Sequence, residues 1–155
     1  MFEAFLDRDA GDGRHEACRV LAGRFLERGT ALVVSPLLYL EAPQCWRRLS
    51  VNGSITPQAP TGDEAEDRAR MYTETTASLR QFTETFVLSN VGFNDALLDD
   101  ATQLAGRYNL RAHDALVVAI CRYTETPDLV ALDRDFTRVD GINLCRPGAA
   151  RVAFF

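Results

Sequence analysis

Lysine is absent from this 155-residue chain: all 17 basic residues are Arg, set against 22 Asp and Glu for a net charge of −5. Two origins of that bias stay open. A GC-rich coding sequence spells its basic residues as Arg, and Arg forks also bind phosphate in a bidentate way. The acidic balance excludes generic attraction to a polyanion, so a nucleic-acid ligand would need a local Arg patch or a bound metal to offset the chain's own charge. Long apolar runs are lacking too. None approaches the ~20 residues of a membrane helix, which excludes a spanning protein. No basic stretch followed by a long apolar one stands at Met1, so no secretory leader is expected. The four cysteines, Cys18, Cys45, Cys121 and Cys145, form no CxxC pair. The two histidines, His15 and His113, stand at no ligand spacing from them. Zinc knuckles and dithiol redox motifs are thereby excluded, and a reducing cytoplasm fits better than a disulfide framework.

What is present is an ordinary globular composition, 46% apolar and 25% charged, of a length that suits one domain over 1–155. Residues 14–28 read as a helix with Ala17, Val20, Leu21 and Phe25 near one face and Gly29 as its stop. Thr30 to Ser35 reads as a buried strand, and Ser35 with Pro36 opens a helix that Pro43 should kink or break near Leu40. Residues 51–63, rich in Gly and Pro, read as a loop insertion. A polar helix over 64–83 carries a thin stripe of Ala65, Ala69, Tyr72, Leu79 and Phe82, and a strand begins at Phe86. Asn94 caps a helix patterned by Leu97, Leu98, Ala101, Leu104, Ala105 and Tyr108, with Asn109 as its stop. Arg111 opens a helix that is apolar nearly all round and should be buried on most sides. Asp128 to Asp133 is a strand, Asp135 to Val139 a helical turn, and Ile142 to Cys145 a last strand closed by Pro147. This alternation predicts an α/β fold with a mainly parallel sheet and helices on both faces.

In such sheets, sites form beyond the carboxyl ends of the strands. Glu41 lies about one and a half turns into the helix after the first strand, Asp114 sits early in the apolar helix, and Asp133 ends a strand with Asp135 two residues on. Asp114 is the most informative, because a carboxylate buried without a partner costs several kcal/mol. It is either satisfied by an Arg or by first-turn amides, or it is a ligand to a hard divalent cation, which carboxylates and waters hold. Taken singly the others are ordinary. A helical Glu such as Glu41 is usually solvated, Asp133 suits a turn, Asp135 suits a cap, and His113 suits a cap or the surface.

Taken together, these stretches resemble the PIN domain family, especially the VapC-like toxin ribonucleases. Leu32-Val-Val-Ser-Pro-Leu-Leu-Tyr-Leu-Glu41 resembles the family's second strand and Glu-bearing helix. Tyr108-Asn-Leu-Arg-Ala-His-Asp114-Ala-Leu-Val-Val-Ala is similar to its Y-x-L-x-x-x-D-A-L-x-x-A helix, and Leu129-Val-Ala-Leu-Asp133-Arg-Asp135-Phe136 to its strand-x-D-x-D-F motif. The region from Asp7-Arg-Asp9 to Arg14-His-Glu-Ala resembles the first helix region. The resemblance implies a three-layer α/β/α fold and a Mg²⁺- or Mn²⁺-dependent endoribonuclease. Glu41, Asp114 and Asp133 would hold the metal, and Asp135 would be a further ligand or a group behind the ligands. It also implies an RNA substrate, a cognate antitoxin protein whose tail enters the active-site groove, and a homodimer. The family pattern has one more acid, in an N-terminal strand-D-x-N segment that is missing here. Met1-Phe-Glu-Ala-Phe-Leu6 resembles the stretch immediately C-terminal to that segment, and Asp7 and Asp9 come too late to replace its acid. The expectation is a natural start upstream and, without it, a central strand missing from the sheet. The competing readings are a catalytically impaired PIN-like module that binds RNA or a protein partner without cleavage, and an α/β interaction protein with no site.

Overall fold

A computed structural model describes residues 13–35, 37–51, 61–86 and 88–147. The chain divides into two compact units, Met1–Asn90 and Val91–Phe155. The segment from Met1 through Asp9, Pro36 and most of the expected loop insertion lie outside the described residues.

In the first unit, helix α1 (Arg14–Glu27) begins after Gly13, whose φ of 73° is left-handed and easy only for glycine. Its buried face is Cys18, Leu21, Ala22 and Phe25, an i, i+3, i+4, i+7 set. Val20, expected on that face, is 47% exposed. At about 100° per residue it stands roughly 200° around the helix from Cys18. Gly29 at φ 62° closes the helix, with the Thr30 amide donating back to the Phe25 carbonyl at 2.9 Å.

Strand β1 (Leu32–Val34) leads to Ser35, whose Oγ accepts from the Leu37 amide at 3.1 Å and so caps helix α2 (Leu37–Val51). The helix runs through Pro43 without a break, so of the expected kink or break near Leu40 the break does not occur. Proline removes one donor and leaves one carbonyl, that of Tyr39, without its helical partner. Apolar packing supports the neighbouring turns: Ala42 and Leu79 are both buried, and Leu38 packs against them. The helix extends to Val51, the first residue of the expected loop insertion.

Helix α3 (Glu64–Glu84) is capped by Asp63, whose Oδ1 accepts from the amides of Ala65 and Glu66 at 2.8 and 3.2 Å. Of the expected stripe, Leu79 faces inward and Ala65, Ala69 and Tyr72 do not. Ala65, Ala69 and Tyr72 are exposed, whereas Thr75, Leu79 and Thr83 are buried. The two threonines hide their hydroxyls by donating to the Met71 and Arg80 carbonyls at 2.7 and 2.9 Å, so each can face the core. Strand β2 (Leu88–Asn90) then pairs in parallel with β1, Leu32 opposite Leu88 and Val34 opposite Asn90.

The second unit opens with helix α4 (Asp95–Tyr108). Asn94 accepts from the Leu97 amide at 2.9 Å, as its side chain suggests it should. Leu97, Ala101 and Leu104 are buried on one face, while Leu98 is 46% exposed. Asn109 ends the helix in the left-handed region, φ 50° and ψ 48°. Helix α5 (Ala112–Tyr123) packs along α4 and is buried at Asp114, Ala115, Leu116 and Val118 through Cys121. Strand β3 (Asp128–Val130), a 3₁₀ turn (Arg134–Arg138) and strand β4 (Asn143–Cys145) complete the unit. The two strands pair in parallel with Leu129 opposite Leu144, and the Asn143 amide side chain donates to Asp128 at 3.0 Å. The described strands thus form two parallel pairs, one in each unit, in a mixed helix and strand chain compatible with an α/β class. No described helix is long and apolar enough to cross a membrane.

Candidate active site

Three of the acids singled out in the sequence belong to the second unit, and local structure explains the placement of each. Asp114 is the third residue of α5, in a first turn whose preceding residue, Arg111, provides no side-chain cap. Free first-turn amides and the helix dipole favour a negative charge there. The residue is only 7% exposed, and it is flanked by Ala115 and Leu116 of the core. Asp133 lies just beyond β3 and caps the 3₁₀ turn, its Oδ1 accepting from the Asp135 amide at 2.8 Å. That contact engages one oxygen and leaves Asp133 Oδ2 without a hydrogen bond among the described residues. Phe136 and Val139, 4% exposed each, pin the turn into the core, so Asp133 and Asp135 are carried by an anchored segment.

Electrostatics join these groups. Burial pushes the Asp114 carboxyl above the ordinary carboxylate range. His113 pulls it back down, with Nε2 3.1 Å from Asp114 Oδ1, and Arg111 does the same by charge. The carboxylates of Asp133 and Asp135 push it up again. The two carboxylates beyond β3 thus act against a charged Asp114 through the field they add. Asp135 is itself engaged: its Oδ2 lies 3.0 Å from Arg138 Nη2.

Glu41 belongs to the first unit, where it stands exposed on α2. Among the described residues, no group of three or more His, Cys, Asp or Glu side chains is arranged to hold a metal ion. The donor chemistry nonetheless suits a hard cation. Mg²⁺ keeps several waters and binds through one or two carboxylates together with substrate phosphates, and Asp114 and Asp133 supply carboxylates alone, with no sulfur or second histidine.

Two participants escape a reading of the sequence. His113 contacts Asp114 although it is half exposed and looks like a surface cap. Arg138 meets Asp135 and also donates to the Asn109 carbonyl at 3.4 Å. The spacing of Arg138 three residues after Asp135 signals a pair within a helical turn, whereas its contact with Asn109 carries no local signal. Burial pushes the Cys121 thiol up to about 11, so it stays protonated.

One curated protein with a similar sequence is Ribonuclease VapC6 of Methanocaldococcus jannaschii, 21% identical over 132 residues, which span 84% of this chain and 86% of that protein. No family model matches the chain. No solved structure matches it either.

Proposed function

We propose that this chain is a ribonuclease of the VapC type with a PIN-like three-layer fold, hydrolysing RNA phosphodiester bonds with the help of Mg²⁺ or Mn²⁺. The observation that supports it most is the placement of Asp114, a buried carboxylate in the first turn of α5 whose charge is disfavoured by burial and by the carboxylates of Asp133 and Asp135 beyond β3. The similarity to a ribonuclease over 84% of the chain agrees with that reading.

Asp114 and Asp133 would hold the cation, with Asp135 behind them. When bound, the cation lowers the pKa of a coordinated water and offsets charge that builds on the phosphorus oxygens. The residues of the chain do the rest. The anchored 3₁₀ turn fixes the direction of the Asp133 carboxylate through the Asp135 amide. His113 holds Asp114 Oδ1 and so restrains its rotamer. Core packing around α5 keeps bulk water from one side of the Asp114 carboxylate, which strengthens its field. Partners in this reading are an RNA substrate, a cognate antitoxin protein and a second copy of the chain, acting in the cytoplasm.

A second reading is a PIN-like module that binds RNA or a protein partner without cutting. It is favoured by the finding that no three-ligand group forms among the described residues. One experiment separates the two. The full chain is incubated with a labelled structured RNA in Mg²⁺, in Mn²⁺ and in EDTA, beside Asp114→Asn. The nuclease reading expects metal-dependent cleavage that falls about 100-fold or more in the variant, given that even groups behind metal ligands are worth ~10–100-fold. Equal cleavage by both proteins removes Asp114 from the mechanism. Binding by the wild-type chain without cleavage in either metal selects the module.

A further inference from the structure

Of residues 133–141, only Phe136 and Val139 are buried. The core therefore grips the segment that carries Asp133 and Asp135 at two points, and polar contacts hold the rest. Among the described residues, the hydrogen bonds that leave this segment all reach the end of α4. Tyr108 donates its hydroxyl to Asp140 Oδ2 at 3.0 Å, and Arg107 Nη2 lies 3.5 Å from the same oxygen. The Arg107 guanidinium also lies over the Tyr108 ring, 5.0 Å from its centroid, a cation–π contact. Arg138 Nη2 donates to the Asn109 carbonyl at 3.4 Å. Asp140 stands at a corner where the Ile142 amide donates to the Val139 carbonyl at 3.4 Å and Gly141 has φ 80°. The other side of the link is fixed as well. Asn109 turns the chain in the left-handed region, the Leu110 amide donates to the Ala105 carbonyl at 3.1 Å, and α5 follows with Asp114 in its first turn.

The Tyr108–Asp140 bond thus joins the corner that leads into Asp114 to the segment that carries Asp133. A body gripped at two points can still turn about the line between them, and a contact off that line removes the rotation. Turning of the segment about Phe136 and Val139 would change the distance between Asp133 and Asp114. Mg²⁺ tolerates little such change, because it demands near-ideal octahedral geometry at ~2.0–2.1 Å. We propose that Tyr108 is a positioning residue, its hydrogen bond to Asp140 setting the spacing between the Asp114 and Asp133 carboxylates and thereby the affinity for a divalent cation. The inference rests on the reading of those two acids as cation ligands. Tyr108 acts through the segment that it ties and not on the cation itself.

The test measures Mn²⁺ binding to the full chain from the electron paramagnetic resonance signal of the free ion, well below the lowest melting temperature of the variants. Tyr108→Phe removes the hydroxyl and keeps the ring under Arg107. It is expected to weaken Mn²⁺ binding about fivefold, the worth of one hydrogen bond. Asp140→Ala gives the same loss. The double variant loses no more than either single one, because both substitutions remove the same link. Asp140→Asn keeps an acceptor for the hydroxyl and stays within about twofold of wild type. A bond of structural value alone lowers the melting temperature and leaves Mn²⁺ affinity at the wild-type level, and that result overturns the proposal. Losses that add in the double variant overturn it too, as does an Asp140→Asn protein that binds as weakly as Asp140→Ala. Asp114→Asn separates the two levels of the argument. A wild-type chain that binds Mn²⁺ no better than Asp114→Asn brings down the cation reading and the proposal with it. Binding that Asp114→Asn abolishes and Tyr108→Phe leaves unchanged brings down the proposal alone.

Discussion

A carboxylate on an apolar helix works against its own desolvation, and at Asp114 burial outweighs the help from His113 and Arg111. The folded-state pKa is raised, so the folded protein binds more protons at this site than the unfolded chain does. Stability is therefore lost as pH rises from the unfolded carboxyl value of about 3.9 through the raised folded value. Below both values the site is neutral in either state and contributes nothing. Asp114→Asn removes the charge and keeps an acceptor toward His113. Melting temperatures measured from about pH 4 to neutral should show the variant gaining on the wild type as pH rises, then running parallel above the folded pKa. A variant that melts lower than wild type at neutral pH would mean that the charge is held by favourable contacts. Asp114 was legible in the sequence because a polar residue inside an apolar helix violates the pattern. The contact of Arg138 with the Asn109 carbonyl was not, since it joins residues 29 apart and depends on how α4 ends.

At the level of elements, legibility tracked the strength of local signals. Asn94, Asn109 and Gly29 fixed helix ends because each side chain, or its lack, suits one cap geometry. Faces were harder to read on α1 and α3. Val20 is as apolar as its neighbours but points away, and Thr75 and Thr83 are polar by name yet self-satisfied by hydroxyl bonds to their own helix. Pro43 misled because local chemistry alone argues for a break there, whereas the helix around it is packed through Leu38 and Ala42 on Leu79. The 3₁₀ turn is the element on which the candidate site depends most. Phe136 is its buried anchor, and Phe136→Ala should destabilise the protein by about 3–5 kcal/mol in urea unfolding. RNA cleavage under conditions where the variant stays folded should fall as well, because Asp133 and Arg138 share that turn. Cleavage at the wild-type level in a folded Phe136→Ala protein would detach the turn from the chemistry.

For the whole molecule, the parallel direction of the described strands was legible, and the pairing of β1 with β2 and of β3 with β4 was not, because strand alternation predicts direction and crossover but says nothing of which edges meet. Charge is the other property of this scale. A chain of net charge −5 that carries every basic residue as Arg has no surplus of positive field to draw in RNA. Any affinity has to come from a local reversal of sign. On the proposed reading Asp114 and Asp133 supply it only when a divalent cation is present. Binding of a short single-stranded RNA should therefore depend on the divalent cation as well as on monovalent salt. Chelation with EDTA at constant ionic strength should weaken wild-type binding at least about tenfold, equivalent to about 1.4 kcal/mol. In Asp114→Asn the same chelation should change affinity much less, because the group that recruits the cation has lost its charge. Equal binding with and without the cation would place RNA affinity in the arginines alone, and would leave the acids to a role other than metal-mediated contact with phosphate.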